Sequence, residues 1–301
     1  MLVLILRRGD KSHSKFDTRF ENVPPDLDVE LHKLTSSEQS NLKQYLQQFE
    51  LSRYDRVVTD LKWQKIKKQA HTLRSIPHLI MNESDTWFNF IRFSSNYKAF
   101  QRFYRKIPGV RVIVTGWHAA DDFRKMGIEA HYAGKSYDSS YLDNLHLERT
   151  INYGFIGTTG KMIYRQRDFL LRQFEKSLGL EIMRTFSKED YLNRLNSIRF
   201  FISADRGMRE YMIKNFEALG CGCILVAFRQ DGEEVHLGFR DMENVILYSR
   251  VDEALDKIKR VESDPCTLER IANAGYQLAR ERFTTQNRDR RLFEIITLPY
   301  K

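Results

Sequence analysis

The chain has 301 residues, 42% hydrophobic and 30% charged, which is an ordinary globular composition with room for two packed cores. No run approaches the roughly 18 unbroken apolar residues of a membrane helix. The three cysteines, Cys221, Cys223 and Cys266, are too few for a disulfide framework and lack the paired spacing of a zinc site, so a soluble protein of the reducing cytoplasm is expected. A formal charge of +9 points to an anionic partner: nucleic acid, a nucleotide, a phosphorylated glycan or an acidic membrane surface.

The opening Met1-Leu2-Val3-Leu4-Ile5-Leu6 is followed, not preceded, by Arg7-Arg8 and meets no small-residue cleavage site, so it reads as a buried first strand and not as an export signal. Strands are expected at 2–6, 29–34, 56–59, 78–81 and 110–115. Helical patterns fill the gaps at 36–49, 61–74, 96–106 and 119–126, the last closed by Gly127. Periodicity is lost between Gly134 and Thr150, where Lys135-Ser136-Tyr137-Asp138-Ser139-Ser140 is polar, and a domain boundary is placed there. A second series of strands follows at 153–156, 181–185, 200–203, 223–228 and 245–248, with helices at 164–178, 210–219, 251–262 and 265–282. This alternation predicts α/β architecture with parallel sheets, residues 1–150 forming one domain and 151–301 the other.

The most specific stretch is Asn215-Phe216-Glu217-Ala218-Leu219-Gly220-Cys221-Gly222-Cys223-Ile224-Leu225-Val226, a helix ending in glycine that feeds an apolar strand and carries a single carboxylate. Phe-Glu-Ala-Leu-Gly-Cys-Gly before such a strand resembles the donor-site signature of group 1 GT-B glycosyltransferases, especially the branch similar to spore-maturation CgeB-like proteins. The likeness continues in order through Glu243-Asn244-Val245-Ile246-Leu247-Tyr248, Val251-Asp252-Glu253-Ala254-Leu255, Asp264-Pro265 and Arg270-Ile271-Ala272-Asn273-Ala274-Gly275 to Arg282-Phe283-Thr284. Upstream, Tyr153-Gly154-Phe155-Ile156-Gly157-Thr158 with Arg165 resembles the strand and turn that open the donor domain.

The resemblance implies two Rossmann-like domains facing across a cleft, with the segment 286–300 packing back on the first. It also implies transfer of a sugar from a nucleotide-activated donor to a hydroxyl of a glycan or lipid-linked acceptor, as in cell-surface polysaccharide or lipopolysaccharide synthesis. No metal or cofactor beyond the co-substrate is expected, because cationic side chains and a helix N-terminus offset the leaving diphosphate's charge.

A nucleoside diphosphate sugar needs an acceptor for its ribose hydroxyls, which the resemblance assigns to Glu217 at a helix start; the plainer alternative is a solvated helix face. Gly157, Thr158, Thr159 and Gly160 offer backbone N–H groups for phosphate oxygens, with Lys161 or Arg165 adding charge, although an ordinary strand-to-helix turn would look the same. Arg206, Arg209 and Lys214 fall where the family places a donor-contacting loop. Many relatives carry a glutamate eight residues before the position of Glu217; here Arg209 stands there and Glu210 lies one residue off. Cys221 and Cys223 read as small buried residues beside a tight turn.

In the first half, candidate bases lie on loops after strands: Glu83, Asp85 and His118 form the short list, with Asp10 and His13 following the first strand. Lys62, Lys65, Lys67, Lys68 and Arg74 interleave with Trp63 and Ile66. Arg92, Lys98, Arg102, Arg105 and Lys106 interleave with Phe93, Phe100, Phe103 and Tyr104. This reads either as core aromatics with a solvated cationic rim, or as a face resting on the inner surface of an anionic membrane. Nucleic acid is the weaker partner, for no RRM, KH, zinc-finger or helix-turn-helix signature is present. A DNA-modifying glycosyltransferase and an inactive GT-B scaffold stand as alternatives.

Overall fold

The computed structural model describes residues 1–9, 19–160 and 162–300, so Asp10, His13 and Lys161 lie outside the described residues. The chain divides into two units, Met1–Gly134 with Arg288–Lys301, and Lys135–Asn287.

The first unit holds a parallel sheet of six strands, β1 (Leu2–Arg8), β2 (Asp28–Leu34), β3 (Arg56–Asp60), β4 (Leu79–Glu83), β5 (Arg111–Val114) and β6 (Glu129–Tyr132), in the order β2-β1-β3-β4-β5-β6. Apolar runs make the inner strands β1, β3, β4 and β5, which are buried on both faces, whereas the edge strands β2 and β6 are partly exposed. Val3, Ile5, Val58, Ile80 and Ile113 enter one core, while Leu4, Leu6, Val57, Leu79, Met81, Val112 and Val114 enter the other. The period of two in a strand divides each run between the two faces. The edge strand β6, Glu-Ala-His-Tyr, was missed from sequence because only Ala130 among its residues is fully buried.

Helices in this unit are shorter than the periodicity predicts, and the breaks have local causes. The 36–49 pattern splits into α1 (Ser36–Ser40) and α2 (Leu42–Leu46) at Asn41, whose φ of −120° and ψ of 48° leave the helical region. The 61–74 pattern splits into α3 (Trp63–Ile66) and α4 (Ala70–Arg74); between them the Gln69 amide donates to the Gln39 and Lys65 carbonyls. The 96–106 pattern reduces to α5 (Ala99–Tyr104), since Lys98 adopts a left-handed φ of 55°. Helix α6 spans Trp117–Lys125.

The second unit holds a parallel sheet of five strands, β7 (Ile151–Ile156), β8 (Glu181–Met183), β9 (Ile198–Ser203), β10 (Ile224–Phe228) and β11 (Ile246–Tyr248), in the order β11-β10-β9-β7-β8. Its helices are α7 (Arg165–Leu178), α8 (Lys188–Ser197), α9 (Ile213–Gly220), α10 (Glu233–Leu237), α11 (Val251–Glu262) and α12 (Pro265–Arg282). The bounds of α11 and α12 coincide with the sequence pattern, because Asp264 caps Pro265 at the first helical position and the apolar period is regular. Helices α8 and α10 were not foreseen, although Ser187 with Glu189 and Asp190 behind it is an N-cap signal. Gly275 of α12 lets that helix approach α9, for a Cβ there would sit 2.6 Å from the Asn244 carbonyl oxygen and 2.9 Å from Leu219.

A last helix, α13, spans Thr285–Thr297, and from Arg288 onward it counts with the first unit. Leu292, Phe293, Ile295 and Ile296 join the core that holds Val3, Ile5 and Phe20. Arg56 and Arg111, from β3 and β5, donate to the carbonyls of Ile295, Ile296, Leu298 and Pro299, closing the helix end with cations.

Candidate functional site

In an open parallel sheet, ligands sit beyond the carboxyl ends of the strands where the order reverses. In the second unit β7 pairs with β8 on one side and β9 on the other, so that point lies between β7 and β9. The segments 157–160 and 204–212 leave from there, and α9 starts just after the second of them.

Lys214, near the start of α9, lies against the turn after β7: a Cβ at Gly157 would meet its Cδ at 3.6 Å and the Phe155 ring at 2.7 Å. Its ammonium sits 4.6 Å from the centroid of the Tyr191 ring and 3.4 Å from the Tyr191 hydroxyl. That hydroxyl donates to Oε2 of Glu217, one helical turn after Lys214. Glu217 is 6% exposed and lies within α9, which begins at Ile213, and not at the helix start. Burial lowers the Lys214 ammonium from the usual lysine range, against the opposing pull of Glu217. Burial and the Glu217 carboxylate push the Tyr191 phenol well up, so it stays a donor.

Asp205 organises the loop beneath this cluster. Its Oδ2 accepts from the Ser203 hydroxyl (3.0 Å), the Met212 amide (3.1 Å) and the Asn215 amide group (2.8 Å), and its Oδ1 pairs with Arg167 at 2.8 Å. Arg184 donates to the Thr158 hydroxyl at 3.1 Å, which brings a second cation to the rim.

The other sequence candidates fall unevenly. The Gly157 amide donates to the Met183 carbonyl and the Gly160 amide to Asp168, so these two do not point at a phosphate. Thr158 remains at the turn beside Arg184. Arg165 and Arg206 are exposed, Arg206 lying 5.7 Å from the centre of the Phe228 ring, and Arg209 is half-buried with a left-handed φ of 58°. Glu210 cannot replace the glutamate missing at 209, because it is buried in an ion pair with Lys135 at 2.6 Å. Sequence reasoning missed Tyr191, Arg167 and Arg184 and gave Asp205 no role. Only the helix-start signal at Ser187 could have pointed to Tyr191.

A second cluster lies at the carboxyl ends of β1, β3 and β4 in the first unit. A cavity of about 220 Å³ is lined there by Arg8, Asp60, Lys62, Trp63, Glu83 and Asp85, among others. Its aromatic wall is Trp63, stacked on Phe100 at 3.9 Å and held by its Nε1–H, which donates to Asn96 at 3.1 Å. Glu83, the last residue of β4, is 4% exposed, and no described residue hydrogen-bonds its carboxyl. Burial raises its carboxyl well above the usual glutamate range; Asp85 and Asp60 add to the rise and Arg8 opposes it. Asp85 is exposed at the rim, whereas His118, second in α6, is not part of the lining and contacts the Trp117 ring at 5.0 Å. Glu83 and Asp85 are therefore brought together and His118 is not.

The aromatic face of α5 is core. Phe100, Phe103 and Tyr104 are buried, which corrects the reading of this stripe as a membrane-facing surface: the helix turns its rings onto Trp63 and Phe123 and leaves its cations outside. Phe93 alone of that series is fully outward, at 92% exposure. Among the described residues no helix is long and apolar enough to cross a membrane, and no group of three or more His, Cys, Asp or Glu is gathered as for a metal ion.

Residues 145–294 match the family model described as "Glycosyl transferase-like". No curated protein sequence matches the chain. Among solved structures, HepE of Anabaena in complex with UDP-glucose superposes with a TM-score of 0.66 at 11% identity, over 98% of each chain. Sucrose-phosphate synthase from Thermosynechococcus elongatus gives a TM-score of 0.61 at 10% identity, covering 97% of this chain and 87% of that one. An alpha-glucosyltransferase in complex with UDP and a DNA 13-mer gives 0.59 at 13%, over 99% of both. Residues 145–294 thus match a glycosyl transferase-like family model, in a chain whose two parallel sheets have the fold of GT-B glycosyltransferases.

Proposed function

We propose that this glycosyl transferase-like enzyme moves a sugar from a nucleoside diphosphate donor, held by the second unit, to a hydroxyl of a glycan or lipid-linked acceptor received by the first. The observation that carries the reading is the Lys214–Tyr191–Glu217 cluster beside the Gly157 turn, inside the matched segment. In this reading Glu217 accepts from the ribose hydroxyls. Lys214 and Arg184, with Arg165, Arg206 and Arg209 at the periphery, meet the diphosphate as its bond to the anomeric carbon breaks. Metal is not part of the scheme.

The acceptor oxygen forms the new bond to the anomeric carbon and gives its proton to a base drawn from Glu83, Asp85 and His118. Glu83 and Asp85 have the better claim because they share one cavity. A raised carboxyl such as Glu83 suits a group that must hold the acceptor's proton once it is released. An anionic membrane surface in polysaccharide or lipopolysaccharide synthesis is proposed as a further partner, supported now by the cationic rim and exposed Phe93. UDP is the ligand of several structural relatives and is the first donor nucleotide to try here.

Calorimetric titration of UDP, GDP, dTDP and CMP into the wild type and Glu217→Ala tests the reading. The variant is expected to lose about 1–3 kcal/mol of nucleotide affinity through the missing charge-assisted hydrogen bonds. Unchanged affinity in a variant that still melts cooperatively would sink the assignment.

A further inference from the structure

One side chain touches both of the proposed donor contacts, and it comes from a different helix. Tyr191 lies in the second turn of α8, whose start is fixed by the Ser187 hydroxyl accepting from the Asp190 amide at 3.0 Å. It is 6% exposed, its hydroxyl is bonded to Glu217 Oε2, and its ring carries the Lys214 ammonium 4.6 Å from its centroid. Lys214 and Glu217 are three residues apart on α9 and share a face, so the tyrosine fills the space between their heads. A glutamate's terminal torsion is broad and roughly two-fold, so α9 alone would not fix the direction of the carboxylate. Lysine is a point charge on a flexible stem and needs a platform to be aimed.

We propose that Tyr191 is the positioning residue of the donor site: its hydroxyl fixes the carboxylate of Glu217 for the ribose hydroxyls, while its ring face seats the ammonium of Lys214 for the diphosphate. This rests on the donor reading above. The hydroxyl is the one contact to Glu217, whereas Lys214 meets both the ring face and, at 3.4 Å, the hydroxyl, so the ring's share can be separated from the hydroxyl's. Phenylalanine keeps the ring and removes the donor, whereas leucine removes both.

Affinities for UDP, 2′,3′-dideoxy-UDP and UMP, measured by calorimetry on the wild type, Glu217→Ala, Tyr191→Phe and Tyr191→Leu, decide the matter. The preference of the wild type for UDP over its dideoxy analogue reads the ribose contact, and its preference for UDP over UMP reads the second phosphate. Tyr191→Phe is expected to cut the first preference by about three- to tenfold, the range of one hydrogen bond, and to lower the second by less than about twofold, since Lys214 keeps the ring and loses only the long 3.4 Å contact to the hydroxyl. Tyr191→Leu is expected to lower the second as well, by about two- to fivefold, the range of a cation–ring contact. A tyrosine that merely braces α8 against α9 would weaken all three ligands alike in Tyr191→Phe, or none, and either result overturns the proposal. If the wild type binds UDP and the dideoxy analogue equally, the ribose role of Glu217 itself fails. A preference that Glu217→Ala abolishes and Tyr191→Phe retains leaves Glu217 in place and removes only Tyr191.

Discussion

Glu83 shows how burial shifts an ordinary carboxylate toward its protonated form. Its folded pKa lies above that of an unfolded glutamate, so the native state holds a proton that the unfolded chain releases. The stability this group contributes is present at low pH and is lost as the pH rises through the interval between the two values. Glu83→Gln, a neutral isostere, is therefore expected to melt at a higher temperature than the wild type at pH 8 and at the same temperature near pH 4, by scanning calorimetry. If Glu83 is the base it must be ionised to act, so transfer should rise with pH along a limb displaced above the usual glutamate range. The same variant should then lose roughly 10²–10⁴-fold in turnover. A variant neither stabilised at pH 8 nor impaired would mean that the carboxyl is solvated and idle.

At the scale of the element, the proposed donor cluster depends on where helices begin. Helix α9 puts Lys214 and Glu217 on one face because it starts at Ile213, and the loop before it is tied down by Asp205, which bonds the Met212 amide and Asn215. Helix α8 delivers Tyr191 because Ser187 stops the chain from running straight on from β8. Ser187→Ala should cost about 1 kcal/mol by loss of the N-cap, seen as a lower urea midpoint with unchanged slope. An unshifted midpoint would show that tertiary packing of Tyr191 and Leu195, not the cap, sets the start of the helix. Gly220, at the end of α9, has its own constraint, since a Cβ there would overlap the Tyr137 ring.

At the scale of the whole molecule, 49 Lys and Arg against 40 Asp and Glu leave the surface basic, and the fold decides which of those cations reach a partner. The rings of α5 face inward, so any membrane contact comes from cations such as Lys65, Lys67 and Lys68 and from Phe93. The chain is expected to sediment with anionic but not neutral liposomes, and less so as salt shortens the screening length to about 10 Å at 0.1 M. Replacing Lys65, Lys67 and Lys68 by glutamine should weaken that binding about tenfold or more while sparing nucleotide affinity; Lys62 is left alone because it lines the cavity. Equal binding to both vesicle types, or to neither, refutes the membrane partner. Tight, salt-sensitive binding to duplex DNA would instead favour a DNA-modifying transferase.

The sequence by itself determined the αβ alternation, most strand positions, the bounds of α11 and α12, and the Phe216–Val226 signature. Each of these is a local property: a run of apolar residues, a cap or a regular period is complete within a dozen positions. It overextended the helices at 36–49, 61–74 and 96–106 because apolar spacing does not register a residue such as Lys98 in a left-handed conformation. Only the tertiary structure decided which polar groups meet. Tyr191 reaches Glu217 across 26 positions, Arg167 reaches Asp205 across 38, and Arg111 reaches Pro299 across 188. Which side chain enters a site is set by strand order and helix packing. The partners that bury and aim a functional group therefore come from elements that no local window contains.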